Sequence, residues 1–182
     1  PAVERGMGVL CLEQNAVDSG AFPFLELARP EGGALEWHRP LGPAAFGSGL
    51  PGPLPVRWRG GEALEKTFRC PAGGNFRLLM GAANAEADLA AILECPVGRG
   101  RYVFSQLTVG RQFMLDPVAR TVFVDLLNRA LGPGQALDAE VAWLTDRPRP
   151  EVVETLDLLG FAEIPKLNPA DAADYDLVFV EG

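Results

Sequence analysis

The chain has 182 residues, of which 48% are hydrophobic, with a formal net charge of −8, three cysteines and one histidine. This length allows one core, or one domain with part of a second, and the hydrophobic share argues against a disordered chain. The negative charge disfavours nucleic acid and anionic membranes as partners, and no apolar run approaches the roughly 18 residues that cross a bilayer. One histidine and three separated cysteines also disfavour a zinc site or a disulfide framework, so we expect no metal and no cofactor.

The first predicted element is a buried strand over residues 7–12, which follows what resembles the end of a helix at residues 1–6. Residues 20–60 are rich in proline and glycine, and proline removes a backbone donor that a helix needs. We therefore predict a structured loop insertion in this stretch rather than a long helix. Its predicted anchors are aromatic: Phe22, Phe24, Trp37, Phe46 and Trp58.

A β-rich stretch follows, with a short apolar run at residues 76–80. Residues 90–95 and 101–107 then flank Gly98-Arg99-Gly100. Glycine supplies the positive φ angles that tight turns require, so this pattern predicts a β-hairpin.

The clearest predicted helix spans residues 117–131. Asp116 is suited to the N-cap, and Pro117 suits the first helical position because its missing N–H group would be unpaired there anyway. Gly132-Pro133-Gly134 ends the helix, and the apolar residues within it recur at helical spacing.

The last 45 or so residues predict a βαβ unit: a strand over 139–145, a helix over 150–159 and a strand over 175–180. A crossover of this length makes the two strands parallel. A lone βαβ unit has little core of its own, so we expect residues 136–182 to complete the sheet of residues 1–132. The alternative is that residues 136–182 begin a following repeat.

Together these elements predict one α/β domain over residues 1–182. The expected architecture is a three-layer sandwich with a mainly parallel sheet, a β-hairpin and the loop insertion rich in proline and glycine.

Several segments resemble the class I glutamine amidotransferase-like accessory domains, of flavodoxin-like fold, that occur in bacterial proteins related to β-galactosidases and other glycoside hydrolases. The most specific are Ile92-Leu93-Glu94, the run from Gly98 to Leu107, and Asp116-Pro117-Val118-Ala119 with Leu126-Leu127-Asn128. Weaker matches lie at residues 8–14, 38–50, 57–60, 68–70 and 74–76. The resemblance covers roughly residues 6–131, although Arg39 interrupts the family's His-Pro pair here.

The resemblance implies a non-catalytic structural or interaction domain of a carbohydrate-active polypeptide. The partners it implies are other domains of the parent polypeptide or a like subunit, with carbohydrate as a further possibility. It does not imply that this chain hydrolyses a glycoside. The sequence leaves the cellular compartment open.

Cys11 is a candidate nucleophile, because Cys11-Leu12-Glu13-Gln14 resembles the run after the catalytic cysteine of class I amidotransferases. That cysteine stands at a strand-to-helix elbow and is activated by a histidine. An elbow needs small neighbours, whereas Leu10 and Leu12 flank Cys11. We favour a buried strand cysteine and keep a thiol-dependent glutaminase as the alternative function.

Two further candidates lie in the loop insertion. His38 could act as a ligand or a base, although no acidic partner is evident and a structural role is favoured. Trp37, Trp58, Arg57 and Arg59 could bind a sugar through ring faces and paired donors, which makes a sugar-binding module the third candidate function. The alternative is that the tryptophans anchor the loop in a core.

Overall fold

The computed structural model of the chain describes residues 2–17, 20, 22–29, 36–38, 57–59, 61–83, 88–132, 139–145, 147–161, 163–172 and 174–181. Within these ranges, nine strands form one mixed sheet and two more form a separate pair. The chain is therefore an α/β protein, as the sequence predicts.

The strands of the main sheet are β1 (Gly8–Leu12), β2 (Glu26–Ala28), β3 (Glu36–His38), β6 (Thr67–Arg69), β7 (Arg77–Ala83), β8 (Leu89–Val97), β9 (Gly100–Ser105), β10 (Val141–Trp143) and β11 (Leu177–Glu181). The separate pair is β4 (Arg57–Trp58) and β5 (Gly61–Glu62). The helices are α1 (Ala2–Arg5), α2 (Val109–Gln112), α3 (Pro117–Leu131) and α4 (Pro150–Leu158), with a 3-10 turn at Pro169–Asp171.

Four strands form the parallel part of the sheet, in the order β10, β11, β1, β9. Strand β1 lies between β11 and β9, so that Leu10 stands beside Phe179 on one side and Val103 on the other. All five residues of β1 are buried. A strand that is paired on both sides and covered on both faces requires such a continuous apolar run.

The remaining pairs of the sheet are antiparallel, and they correct the expectation of a mainly parallel sheet. Strands β8 and β9 form the predicted hairpin, in which Gly98 has φ 62° in the connecting turn. Strand β8 also pairs with β6 and β7, β6 with β2, and β7 with β3. A two-residue connection can only join antiparallel strands, so the hairpin reverses the sheet direction at β9.

The predicted helix is confirmed as α3. Its N-cap is Asp116, whose Oδ1 accepts a hydrogen bond from the Val118 N–H at 2.8 Å, and Gly132 follows its last residue with φ 91°. Glu94 of β8 connects this helix to the sheet. Its side chain is 1% exposed and forms ion pairs with Arg129 of α3 and Arg101 of β9.

The C-terminal βαβ unit is also confirmed, because β10 and β11 pair in parallel around α4. Gly160, with φ 94°, follows the end of α4 in the left-handed region that glycine favours. Strand β11 joins β1 along its whole length. The two segments of the chain therefore share one sheet, while their dependence on each other for folding stays a prediction.

The two faces of the sheet are covered differently. The larger core cluster contains residues of α2, α3 and α4 together with Leu10 and Leu12 of β1. The smaller cluster, on the other side of β1, contains Val9 and Cys11 and is covered by α1 and loop residues. Phe22 is one of them. Its ring centroid lies 5.1 Å from that of Tyr102 and 5.0 Å from that of Phe104, and both ring pairs are edge-to-face.

The loop insertion contains only short strands among its described residues, as the proline and glycine content predicts. Phe22 and Phe24, which pack against the smaller cluster, and the buried Trp58 act as the predicted anchors. Phe46 and the side chain of Trp37 lie outside the described part of the chain.

We predict that Gly8→Ala destabilises the fold by about 1–3 kcal/mol, which is typical of overpacking in a core. A Cβ atom at residue 8 would stand 2.3 Å from the Ala130 carbonyl oxygen of α3. The helix would have to move away from the sheet to admit it. Urea denaturation of both proteins measures the change, with Gly73→Ala as the control because no atom lies within 4 Å of a Cβ there. Equal stability of the two variants would contradict this account of the α3–β1 contact.

Candidate functional site

Polar side chains gather where the parallel strands end. Glu13 follows β1, Gln106 follows β9 and Glu181 is the last residue of β11. The carboxyl ends of these strands meet at one edge of the sheet, which is where ligands bind in open α/β folds. All three side chains belong to buried residues.

Glu13 is the centre of this edge. Its backbone has φ 45°, a left-handed conformation that is uncommon for a residue other than glycine. Its Oε2 atom lies 2.8 Å from Nη2 of Arg111, which α2 supplies, and 2.5 Å from Nη1 of Arg149, which precedes α4. One carboxylate oxygen therefore contacts two guanidinium groups, one from α2 and one from the residue that precedes α4.

The ionic contacts continue outward from these arginines. Nε of Arg149 lies 3.2 Å from Oε1 of Glu181, and the Arg149 backbone N–H donates to Oε2 of Glu181 at 2.8 Å. Nη2 of Arg111 lies 2.8 Å from Oε1 of the exposed Glu65. We refer to Glu13, Glu65, Arg111, Arg149 and Glu181 as the carboxyl-edge cluster.

A pocket of about 230 Å³ opens beside this cluster. Two side-chain amides in its wall are held by hydrogen bonds: Gln106 Nε2 donates to the Gln14 carbonyl at 3.1 Å, and Gln14 Nε2 donates to the Val180 carbonyl at 3.3 Å. Lys66 Nζ donates to the Asn15 carbonyl at 3.0 Å. The lining is polar throughout: Glu13, Gln14, Asn15, Glu65, Lys66, Gln106, Thr108, Arg111 and Arg149.

Burial affects the protonation of two carboxyl groups of the carboxyl-edge cluster, those of Glu13 and Glu181. It raises the pKa of Glu13, against the opposing effect of Arg111 and Arg149. It also raises the pKa of Glu181, against the backbone N–H and the charge of Arg149. In each case removal from water outweighs the positive partners.

This arrangement connects the carboxyl ends of β1 and β11. Glycoside hydrolysis uses two carboxyl groups that face each other across a substrate cleft, whereas Arg149 bridges Glu13 and Glu181 directly. Within the described residues, no group of three or more histidine, cysteine, aspartate or glutamate side chains could hold a metal ion. The same part of the chain has no helix with the length and hydropathy to cross a membrane.

Cys11 lies within β1, two residues before the turn at Glu13. It is 4% exposed, and burial raises the pKa of its thiol to about 12. The thiolate, which is the nucleophilic form, is therefore rare at neutral pH. This placement favours the buried strand cysteine over the nucleophile.

The other residues predicted from the sequence fall elsewhere. Trp37 and His38 belong to β3, whose backbone pairs with β7, and their side chains lie outside the described part of the structure, as does that of Arg57. Trp58 is 5% exposed and packs in the larger core cluster, which leaves its ring faces no room for a sugar. Arg59 is exposed, and its backbone N–H donates to Asp116 at 2.9 Å.

Comparison of the chain with protein-family models, with curated proteins and with solved structures gives no match. The resemblance to amidotransferase-like domains therefore stays a prediction.

Sequence reasoning missed the carboxyl-edge cluster, although one signal for it exists. Glu13 directly follows the predicted strand 7–12, and Glu181 directly follows the predicted strand 175–180. Charged residues at the carboxyl ends of adjacent parallel strands come together in space. Recognising the pair required the knowledge that these two strands are neighbours.

We predict that iodoacetamide modifies Cys11 far more slowly than Cys70 or Cys95 in the native protein at pH 7.5. Cys11 is buried, whereas the other two thiols are partly accessible. Peptide mass spectrometry over a time course measures the three rates, and denaturant should remove the difference. Fast modification of Cys11 in the folded protein would show an activated thiol.

We predict that Glu13→Gln costs less stability at pH 7 than at pH 4.5. A carboxyl group whose pKa is raised by folding stabilises the fold below its unfolded pKa, and this contribution is lost as pH rises through the folded pKa. The amide does not titrate, so the variant lacks this loss. Urea denaturation across the pH range measures the difference, with Glu65→Gln as the exposed control. A cost that grows with pH would mean that the two arginines outweigh burial.

Proposed function

We propose that this chain is a non-catalytic structural or interaction domain of a carbohydrate-active polypeptide related to glycoside hydrolases. The observation that carries the proposal is the turn after β1. A nucleophile elbow carries its reactive side chain at a strained turn after a strand; here the residue with φ 45° after β1 is Glu13, whose carboxylate is held by Arg111 and Arg149.

The position of this turn supports the amidotransferase-like part of the proposal. It follows a central parallel strand, and its residue has φ 45°. We propose that the fold derives from a three-layer amidotransferase-like sandwich in which the α1 side is the thinner layer. The carbohydrate link is supported by the motifs at residues 92–107 and 116–128 alone.

The glutaminase alternative has less support. It requires a reactive thiol, and Cys11 is buried within a strand with a raised pKa. The sugar-binding alternative has also lost one of its two ring platforms, because Trp58 packs in the core. Neither alternative gains an observation that favours it over the interaction domain.

We predict that the purified chain hydrolyses neither glutamine nor p-nitrophenyl β-galactoside above the buffer rate. Cys11→Ala and Glu13→Gln should give the same result, because neither residue is proposed to act on a substrate. Ammonia release and nitrophenolate absorbance measure the two reactions, and an active glutaminase and an active β-galactosidase serve as positive controls. Turnover that disappears in either variant would overturn the proposal.

A further inference from the structure

The outer side of α4 carries an acidic groove with an apolar floor. The groove has a volume of about 740 Å³ at the β10 edge of the sheet, and Trp143 and Phe161 contribute to its lining. Val153 lies in it with 42% of its surface exposed. Three exposed carboxylates border the groove, those of Glu154, Asp157 and Glu163, and Lys166 is its one basic lining residue among the described ones.

The turn between α2 and α3 carries a surface of the opposite character. Met114 and Leu115 are 51% and 55% exposed, which is unusual for large apolar side chains on consecutive residues. Arg120 lies beside them, with its guanidinium carbon 5.4 Å from the centre of the buried Phe113 ring. Arg59 is also adjacent, because its backbone N–H donates to Asp116. We refer to Met114, Leu115, Arg59 and Arg120 as the basic knob.

The groove and the knob are complementary in both charge and hydrophobicity. The groove offers apolar contact beside three carboxylates and one lysine, and the knob offers two exposed apolar side chains with two arginines nearby. Interfaces of this kind bury their apolar centre and match charge at the rim, which fixes the register of the partners.

Both surfaces belong to the same helical layer. Helix α2 packs against α4. The absence of a side chain at Gly110 leaves room for Val152, and the Gly110 carbonyl accepts a hydrogen bond from Thr155 Oγ1 at 3.5 Å. The knob directly follows α2, and the groove lies on the outer side of α4. A dimer of this kind requires a two-fold axis that sets each knob against the partner's groove, and such reciprocal contacts are what two-fold dimers use.

We propose that two copies of this chain form a two-fold dimer in which the basic knob of each copy occupies the acidic groove of the other. One knob alone is small beside the roughly 1,200–2,000 Å² that a specific interface buries in total, and the two-fold arrangement doubles the contact. The net charge of −8 opposes the encounter, but at 0.15 M salt this repulsion is screened beyond about 8 Å. The inference rests on the proposed interaction role.

The experiment is sedimentation equilibrium of the full chain between 1 and 200 µM at 0.15 M salt, where we expect a reversible monomer–dimer equilibrium. A groove variant, Glu154→Lys with Asp157→Lys, places like charges against the knob. A knob variant, Arg59→Glu with Arg120→Glu, places like charges against the groove. Each should weaken the dimer by at least about tenfold in Kd, because like charges placed opposite each other across an interface oppose association.

Mixing the two variants provides the decisive measurement. In the mixed dimer the reversed knob meets the reversed groove and the native knob meets the native groove, so both contacts are again opposite in charge. We expect the mixture to form a heterodimer close to the native affinity. Circular dichroism and urea midpoints verify that each variant is folded.

A matched control is Glu26→Lys with Asp174→Lys, which changes the net charge by the same amount as the groove variant at exposed positions outside both surfaces. It should keep the native dimer affinity. A monomeric native chain up to 200 µM, an equal effect of the control and groove variants, or failure of the mixture to associate would each overturn the dimer. Turnover by the chain would instead overturn the proposed function and leave the dimer intact.

Discussion

The parallel pairing of β1 with β11 on one side and β9 on the other is the contact on which the rest of the structure depends. It joins the two ends of the chain, because Leu10 lies beside Phe179. It also places the carboxyl ends of three strands together, and so creates the carboxyl-edge cluster. Glu13 and Gln106, which line the pocket beside this cluster, directly follow β1 and β9.

Two buried carboxylates form ion pairs that connect strands of this sheet to the helical side of the molecule. Glu13 connects β1 to Arg111 and Arg149 at the carboxyl edge, and Glu94 connects β8 to Arg129 of α3. A buried ion pair adds little net stability over a well-packed apolar pair, but losing one partner costs about 3–5 kcal/mol because a charge is left uncompensated.

Local signals were sufficient to predict the elements that depend on neighbouring residues. The cap at Asp116, the glycine turn at Gly98 and the crossover through α4 each involve residues close in sequence, and each is present. The mixed sheet and the carboxyl-edge cluster depend on which strands lie side by side. Periodicity does not carry that information, so Glu13 could be recognised as central only once β1 and β11 were known to be neighbours.

The pairing of β1 with β11 also affects how the molecule reaches its fold. The β8–β9 hairpin closes through a short turn, whereas the β1–β11 pairing has to bring together segments that lie far apart in the sequence. Closing so long a loop is entropically costly, and proteins dominated by such pairings fold slowly. Until the β1–β11 pairing forms, the edge of each strand that it covers remains open to strands of other molecules.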